Sequence, residues 1–384
     1  MRKSTVVTYA HSALFYESPE ELTAALADFV TAGIAADEHV MAVVDARRGE
    51  LLRERLGTAE GFTLADSADV YTSPTRTLST YIDMVRDGTV GGRRMRVAGE
   101  PIWAGRSPVE LQQWSCVESA SNAAFADSML TMLCPYHVTA LPPEIVSTAR
   151  RTHPVVRDRH GASPSPEYVE PEQFHLAVRR SPLPPPPPGE STLVVLSSDA
   201  VAHACATVEA FASAQWIVTD RRADLVAAVD EVVSAARAES AADLSIRMWT
   251  DVHGLTCDIA GRWSVPAALP AFLRTAQESD GAPGMWMPGQ RCDLIAIREL
   301  AGTTTVRLRL DPKMRGATEA CSVVADLLGV HALGACDRDE AVAVETHVAG
   351  CQSCSEELAE LALAATALEL ASHPRDPEPG CEDA

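Results

Sequence analysis

The sequence predicts a multidomain α/β protein that ends in a small all-α metal-binding module. Three observations carry this reading. Apolar runs of strand length alternate with helix-like segments over roughly the first 156 residues. A second region combines two helical stretches with strands, one of which, TTTVRLRL at 303–310, alternates apolar and polar side chains. The last region is helical and holds His347, Cys351 and Cys354 at His-x3-Cys-x2-Cys spacing.

The first segment spans residues 6–156. Val6-Val7-Thr8 and 40–44 (VMAVV) read as buried strands, with a helix over 19–32 between them. Residues 95–97 form a further strand, 109–122 a helix and 128–132 a strand. Strands that alternate with helices argue for a parallel sheet. Prolines accumulate over residues 157–190, which end in SPLPPPPPGE. Such a run favours a stiff polyproline II spacer at a domain boundary; a ligand for a proline-recognising domain is the rarer use of the same composition.

The second segment spans residues 191–313. Helices are expected at 201–213 and 223–238, and strands at 244–249, 255–259 and 303–310. The alternation in the last of these predicts a half-buried antiparallel strand. Two helices packed on such strands make an α/β sandwich. The third segment, 316–372, is helical, and the polar, acidic, proline-rich tail at 373–384 is expected to be disordered.

Of the 384 residues, 53 are acidic and 32 basic, a formal charge of -21. A chain so acidic repels nucleic acid unless a local basic patch intervenes, and the Arg-rich spots at 93–96 and 150–159 are short. No direct nucleic-acid contact is expected. The N-terminus lacks the apolar stretch and cleavage site of a signal peptide. The apolar stretch at 358–372 carries Glu360 and Glu369 and is too short to span a bilayer. No membrane contact and a cytoplasmic location follow as expectations. Ten scattered cysteines do not make a secreted disulfide framework. In a reducing compartment a tight Cys/His cluster points to metal instead.

That cluster is the most specific signal in the chain. Cys351 and Cys354 can grip one metal across a tight turn, and His347 lies one helical turn before Cys351 on the same face. A structural zinc takes four N/S ligands in a tetrahedron, so a fourth must come from upstream. Cys321 is the first choice, with His331 and Cys336 as competitors. A module this small builds little core, and bound metal would supply the missing stability.

The stretch HALGACDRDEAVAVETHVAGCQSCSEELAEL resembles the zinc-finger domain of zinc-associated anti-sigma factors. His331 replaces the family's aromatic residue and Cys336 the second Leu of its LGAL. The upstream Cys of the cysteine-type variant falls on Cys321. The resemblance implies a helical module that clamps a sigma factor. Some relatives lose zinc when their thiols are oxidised, and Cys336 is an extra thiol nearby.

Residues 191–313 resemble the GHKL ATPase domain of anti-sigma-factor serine kinases, most clearly in PGMWMPGQRCDLIAIRELAGTTTVRLRL, which includes Gly284. That class needs an Asn one turn after a Glu to hold magnesium, and Asp-x-Gly to seat adenine. Glu231 is present, but the Asn position falls on Ala235, which offers a hard cation no oxygen. Asp258 is present, but Ala260 stands where Gly is expected. Phosphoryl transfer depends on positioned metal and backbone donors. The reading is therefore a binding-only domain, with ATP bound weakly or not at all.

The N-terminal segment resembles the MEDS sensory domain. The matches are His11-SALFYESPEEL, Gly33, RVAGEPIWAGRSPVELQQWSCVESASN, LCPYHVTAL and Thr152-His153-Pro154. The resemblance implies a RecA-like α/β fold without a phosphate loop, and no GxxxxGK[ST] occurs. His11, Glu100, Trp103, Arg106, Glu118, Cys134, Tyr136 and His153 are the polar and aromatic residues of these motifs. They line a ligand pocket, or they hold the fold through buried hydrogen bonds. His11, Cys134 and His137 carry metal-ligand chemistry, but their spacing specifies no site. His137 stands where relatives often carry Asp.

Together these resemblances imply an anti-sigma-type transcription regulator. A sensor would control a GHKL-like domain and a zinc module that bind a sigma factor, with the proline spacer separating sensor from binder. Two alternatives stand beside it. One is an active serine kinase acting on an anti-sigma-factor antagonist. The other is a non-catalytic scaffold that sequesters such an antagonist.

Overall fold

The computed structural model describes residues 9–57, 60–89, 92–187, 191–196, 200–215, 217, 219–251, 253–266, 269–311, 319–349 and 351–372. The expected strand residues 6–8, the end of the proline run at 188–190, residues 312–318 and the tail at 373–384 lie outside them. The chain divides into two compact units, Met1–Val208 with Asp224–Leu310, and Glu209–Ala223 with Asp311–Ala384.

The first unit holds two sheets. The elements of the first are β1 (Tyr9–Tyr16), α1 (Pro19–Ala35), β2 (His39–Val44), α2 (Ala46–Leu56), β3 (Phe62–Asp66), α3 (Ser67–Val70), α4 (Pro74–Gly88), β4 (Met95–Gly99), α5 (Pro108–Ala124), β5 (Leu130–His137), α6 (Pro143–Thr152), β6 (Val155–Asp158), β7 (Gly161–Pro164) and α7 (Pro171–Arg179). Strand order is β3-β2-β4-β5-β1-β6-β7. All neighbours pair in parallel except the β6–β7 hairpin. The helix starts are written locally. Ser18, Ser73 and Ser107 cap α1, α4 and α5, each followed by Pro in the first turn, and Ser107 forms a capping box with Glu110. The central strands are buried on both faces. Ala13, Val97, Met132 and Tyr136 pack with Trp114 and Phe125 on one side. Leu14, Val40, Ala42 and Leu133 pack with Leu22, Leu26 and Val30 on the other. Gly33 is required where α1 crosses β2, because a Cβ there would come 2.6 Å from Val40 Cγ2.

The segment read as a spacer is largely folded. Residues 157–180 complete the β6–β7 hairpin and form α7, whose Phe174 and His175 are buried. Polar, proline-rich composition hid an amphipathic helix with two core residues. The proline run itself lies along the second sheet, where Arg307 donates to the Pro184 carbonyl at 3.0 Å.

The second sheet follows from β8 (Thr192–Val195), α8 (Ala200–Ala214), α9 (Thr219–Ala238), β9 (Ala242–Asp251), β10 (Gly254–Arg262), α10 (Ala276–Ser279), α11 (Trp286–Arg291), β11 (Leu294–Leu300) and β12 (Thr303–Leu310). It is antiparallel, in the order β11-β12-β10-β9-β8. Ile246, Met248, Cys257, Ile259, Val306 and Leu308 form one apolar face, each fully buried. The opposite face was expected to meet solvent, and it does not. Arg298, Arg307 and Arg309 on that face are only 2–7% exposed. Arg309 pairs with Glu110 of α5 at 2.7 Å, Arg298 donates to Gln112, and Arg179 of α7 pairs with Glu299 at 2.6 Å. Arg76 of α4 pairs with Asp293 at 2.6 Å. Period-2 alternation reports two unlike faces, but not what covers the polar one. Here the cover is the first sheet's helices: α5 supplies Glu110 and Gln112 to two of these arginines, and α4 and α7 supply Arg76 and Arg179 to Asp293 and Glu299.

The second unit takes in the end of α8 and the start of α9, within Glu209–Ala223, and contains α12 (Glu319–Ala332), α13 (Arg338–Val348) and α14 (Gln352–Ser372). Gly334, at φ +67°, ends α12, and Asp337 with Glu340 makes a capping box that starts α13. Its core is small: Cys321, Val324, Leu328, Val344 and Cys354, with Leu327, Val348, Leu358 and Leu361 around them. No described helix is long and apolar enough to cross a membrane.

Candidate metal centre

Helices α12, α13 and α14 of the second unit bring four metal-ligating side chains to one point. Cys321 comes from the first turn of α12, His347 from the end of α13, Cys351 from the connection that follows, and Cys354 from the first turn of α14. Their ligand atoms all lie within 4.8 Å of one another. The Cys321 and Cys351 sulfurs are 3.7 Å apart. That is far beyond a disulfide bond of about 2.05 Å. It is what two thiolates need around one zinc with Zn–S bonds of about 2.3 Å, which puts tetrahedral sulfurs about 3.8 Å apart. His347 Nε2 is buried without a hydrogen-bond partner, as a nitrogen aimed at a metal would be. Burial, and then the neighbouring Cys351 and Cys321 sulfurs, push the Cys354 thiol up to about 12. A divalent cation is what makes so crowded a set of thiolates favourable. The residues fit zinc. The competitors His331 and Cys336 lie outside the cluster, and Cys336 Sγ donates instead to the Leu327 carbonyl at 3.7 Å.

A second convergence lies inside the first unit. His11 and Cys134 are on the same face of neighbouring strands β1 and β5, Glu118 is in the middle of α5, and His153 directly follows α6. All four are buried and their ligand atoms lie within 4.8 Å of one another. Glu118 Oε2 is 3.5 Å from both His11 Nε2 and His153 Nε2 and 3.4 Å from Cys134 Sγ, which is itself 3.4 Å from His11 Nε2. Burial, then His153, lowers the pKa of His11 to about 4. Burial would raise Glu118, but the neighbouring His11 and then His153 rings outweigh it and hold the carboxyl well below its usual range. The Tyr136 hydroxyl bonds to Glu118, and Trp103 packs on the Tyr136 ring at 5.7 Å.

The other sensory residues sit elsewhere. Glu100 accepts from the Tyr16 hydroxyl at 2.5 Å and pairs with Arg48 at 3.0 Å. Arg106 stacks 4.2 Å over the Trp114 ring and donates to the Tyr71 carbonyl at 3.0 Å. His137 projects from the opposite face of β5 to Cys134 and accepts from the Ala140 backbone at 3.1 Å. Strand alternation thus separates His137 from the His11 and Cys134 set, and Glu118 and His153 complete that set.

Of the residues of the kinase-like motifs, Glu231 and Gly284 meet, while Asp258 is committed elsewhere. Glu231 on α9 meets the Gly284 backbone N–H, and its pKa is raised, by burial first and then by Asp230. Asp258 is on the arginine face of β10, held by Arg307 through two bonds of 2.7 and 2.8 Å. Its neighbours in sequence, Cys257 and Ile259, face the apolar side. Ala235 is buried. Glu278, beside Glu231, is spent on the backbone N–H groups of Thr275, Met285 and Trp286 at 2.7–2.9 Å. Sequence reasoning did not single out Glu110 or Asn122. The first is visible only as the fourth residue of a capping box and the second only as a small polar residue one turn after Glu118.

Two family models match the chain. Residues 10–154 match MEDS, the MEthanogen/methylotroph, DcmR Sensory domain. Residues 321–355 match a zinc-finger family of the anti-sigma-factor type. No curated protein matches the chain significantly. The protein therefore carries a MEDS domain in its first unit and an anti-sigma-factor-type zinc finger in its second.

Proposed function

We propose that this protein is an anti-sigma-type transcription regulator whose zinc module holds a sigma factor, and whose sensory domain controls that hold. The convergence of Cys321, His347, Cys351 and Cys354 within the zinc-finger match is the observation that carries the reading. Apolar side chains on the same module support it. Leu333, Val342 and Leu363 are 55–73% exposed, more apolar surface than so small a unit needs and suited to anchoring a partner. The charge of -21 suits a basic protein surface, and complementarity of this kind speeds encounter. A sigma-factor partner places the chain in the cytoplasm. The test is affinity purification of the full chain from its native cell. A sigma factor should be recovered, and Leu333→Asp with Val342→Asp should reduce recovery at least about tenfold, since hot-spot anchors are each worth about 1–2 kcal/mol or more. Recovery of an anti-sigma-factor antagonist instead would replace this reading with the scaffold.

The second sheet and its helices act in this scheme as a GHKL-type domain without catalysis. Ala235 offers magnesium no ligand, Asp258 is committed to Arg307, and Asp230, Glu231 and Glu278 surround the remaining motif with negative charge. A triphosphate without its magnesium is repelled by such a cluster. Calorimetry with Mg-ATP on the full chain should find no binding tighter than about 1 mM. Micromolar affinity, or phosphate transfer to a co-expressed antagonist, would restore the kinase reading.

A further inference from the structure

The buried quartet in the MEDS domain is arranged as a metal site. We propose that His11, Glu118, Cys134 and His153 bind a divalent transition metal, zinc foremost, at a second site independent of the C-terminal module. Distance is the first argument. Around a tetrahedral zinc, bonds of about 2.0–2.3 Å to nitrogen, oxygen and sulfur set the ligand atoms about 3.3–3.8 Å apart. The four separations measured here are 3.4, 3.4, 3.5 and 3.5 Å. A charge-assisted hydrogen bond between imidazole and carboxylate would instead close to about 2.7–2.9 Å.

Proton placement is the second argument. His153 Nδ1 lies 2.8 Å from the Ala149 carbonyl, which can only accept, so Nδ1 carries the proton. Asn122 spends its amide nitrogen on the carbonyls of Glu118, Ser119 and Thr152, which turns its Oδ1 toward His11 Nδ1 at 3.0 Å. His11 Nδ1 is then also a donor. Both rings therefore present an Nε2 lone pair to the carboxylate of Glu118, and His153 Nε2 has no hydrogen-bond partner. Two lone pairs and an anion facing each other in a buried space are unfavourable without a cation between them. Protonating both rings would set two imidazolium ions 4.1 Å apart, centroid to centroid, against one carboxylate. A metal removes the conflict. The outer bonds to Asn122 and Ala149 are the orienting contacts that metal-bound histidines characteristically make.

The donor set identifies the cation class. Two imidazoles, one thiolate and one carboxylate suit zinc or a neighbouring first-row ion and not magnesium or calcium, which take oxygen. All four positions are filled by protein and the cluster is closed to solvent, so the ion would tie β1, β5, α5 and the end of α6 together.

The test uses the full chain carrying Cys354→Ser, which should empty the C-terminal site. Metal analysis should find about two zinc ions in the parent chain and about one in this variant, one per closed site. Adding Glu118→Gln or His153→Ala should remove the remaining ion. Cobalt(II) loaded into Cys354→Ser should give the intense visible bands of a tetrahedral site with a near-ultraviolet thiolate charge-transfer band. Cys134→Ser should abolish that band while visible bands persist. A folded Cys354→Ser chain that holds no zinc and gives no tetrahedral cobalt spectrum overturns the proposal and leaves the zinc module standing. A single zinc that Glu118→Gln removes and Cys354→Ser does not would support this site and overturn the other.

Discussion

Cys354→Ser should release zinc from the C-terminal module and unfold its three helices together. The expectation follows from how little else holds them. Five buried residues form the centre of that core, and two of the five, Cys321 and Cys354, belong to the candidate ligand set. Without metal, Cys354 and Cys321 are buried thiols, weak donors and weak acceptors that return little for the water they lose. With metal, binding supplies about 10–16 kcal/mol at neutral pH in comparable zinc-finger peptides, which exceeds the whole stability of most domains. Replacing one of four ligands leaves a three-coordinate ion open to water and chelators. The expected readings are loss of about one zinc per chain, loss of helical circular dichroism, and new protease cleavage within 319–372. Acid should act in the same direction, because each ligand must be deprotonated and protons compete with the ion. If Cys354→Ser keeps its full zinc content, the ligand set is wrong, and Cys336 and His331 become the residues to replace.

The two quartets differ in how far they can be read without a structure. The C-terminal one is local. His347, Cys351 and Cys354 lie within eight consecutive positions, so helix and turn geometry alone set them on one face, and only the partner Cys321 comes from a distance. The sensory quartet joins positions 11, 118, 134 and 153, and its contacts join residues as far apart in sequence as His11 and His153. Family motifs marked all four as notable among eight candidates, yet nothing in their spacing says that Glu118 and His153 meet His11 while Glu100 and Arg106 do not. That depends on β1 and β5 being neighbours in the sheet, which is a property of strand order. His137 shows the same limit from the other side. It is next to Tyr136 in sequence and points away from the site.

The second sheet extends this point from residues to domains. Its strands were legible from alternation and its apolar face from Val306, Leu308 and Leu310. The partner of its arginine face was not, because an arginine in a strand pattern reads as solvent-facing unless its carboxylate is known. The partners come from α4, α5 and α7, as Arg76, Glu110 with Gln112, and Arg179, on elements separated from β12 by more than a hundred residues. Sensor and second sheet are therefore continuous in one unit, and a proline run between them does not hold them apart. Any control that the sensor exerts has a direct physical route through this seam.

The seam predicts a large effect for one carboxylate. Glu110 divides its two oxygens: Oε2 accepts from the Ser107 backbone at 2.7 Å as part of the α5 cap, and Oε1 meets Arg309 at 2.7 Å. Burial alone would raise its pKa, but Arg309 and then Ser107 outweigh burial and hold the carboxyl below its usual range. Glu110→Gln should destabilise the first unit by about 3–5 kcal/mol, the usual cost of leaving one half of a buried ion pair uncompensated. Arg309→Met alone should cost a similar amount. The double variant should recover part of the loss, with a coupling of about 1–3 kcal/mol, because an apolar replacement of the whole pair removes the stranded charge. The pH dependence has a definite sign. A carboxyl whose folded pKa lies below its unfolded value of about 4.3 contributes stability above that value, and the contribution is lost as pH falls through the folded pKa. Parent and Glu110→Gln should therefore differ most near neutrality and converge under strong acid. Urea unfolding of the four proteins at pH 7 and at low pH measures both effects. Strictly additive single losses at pH 7 would show that Glu110 serves only as a helix cap and that the sensor and the second sheet are not joined through it.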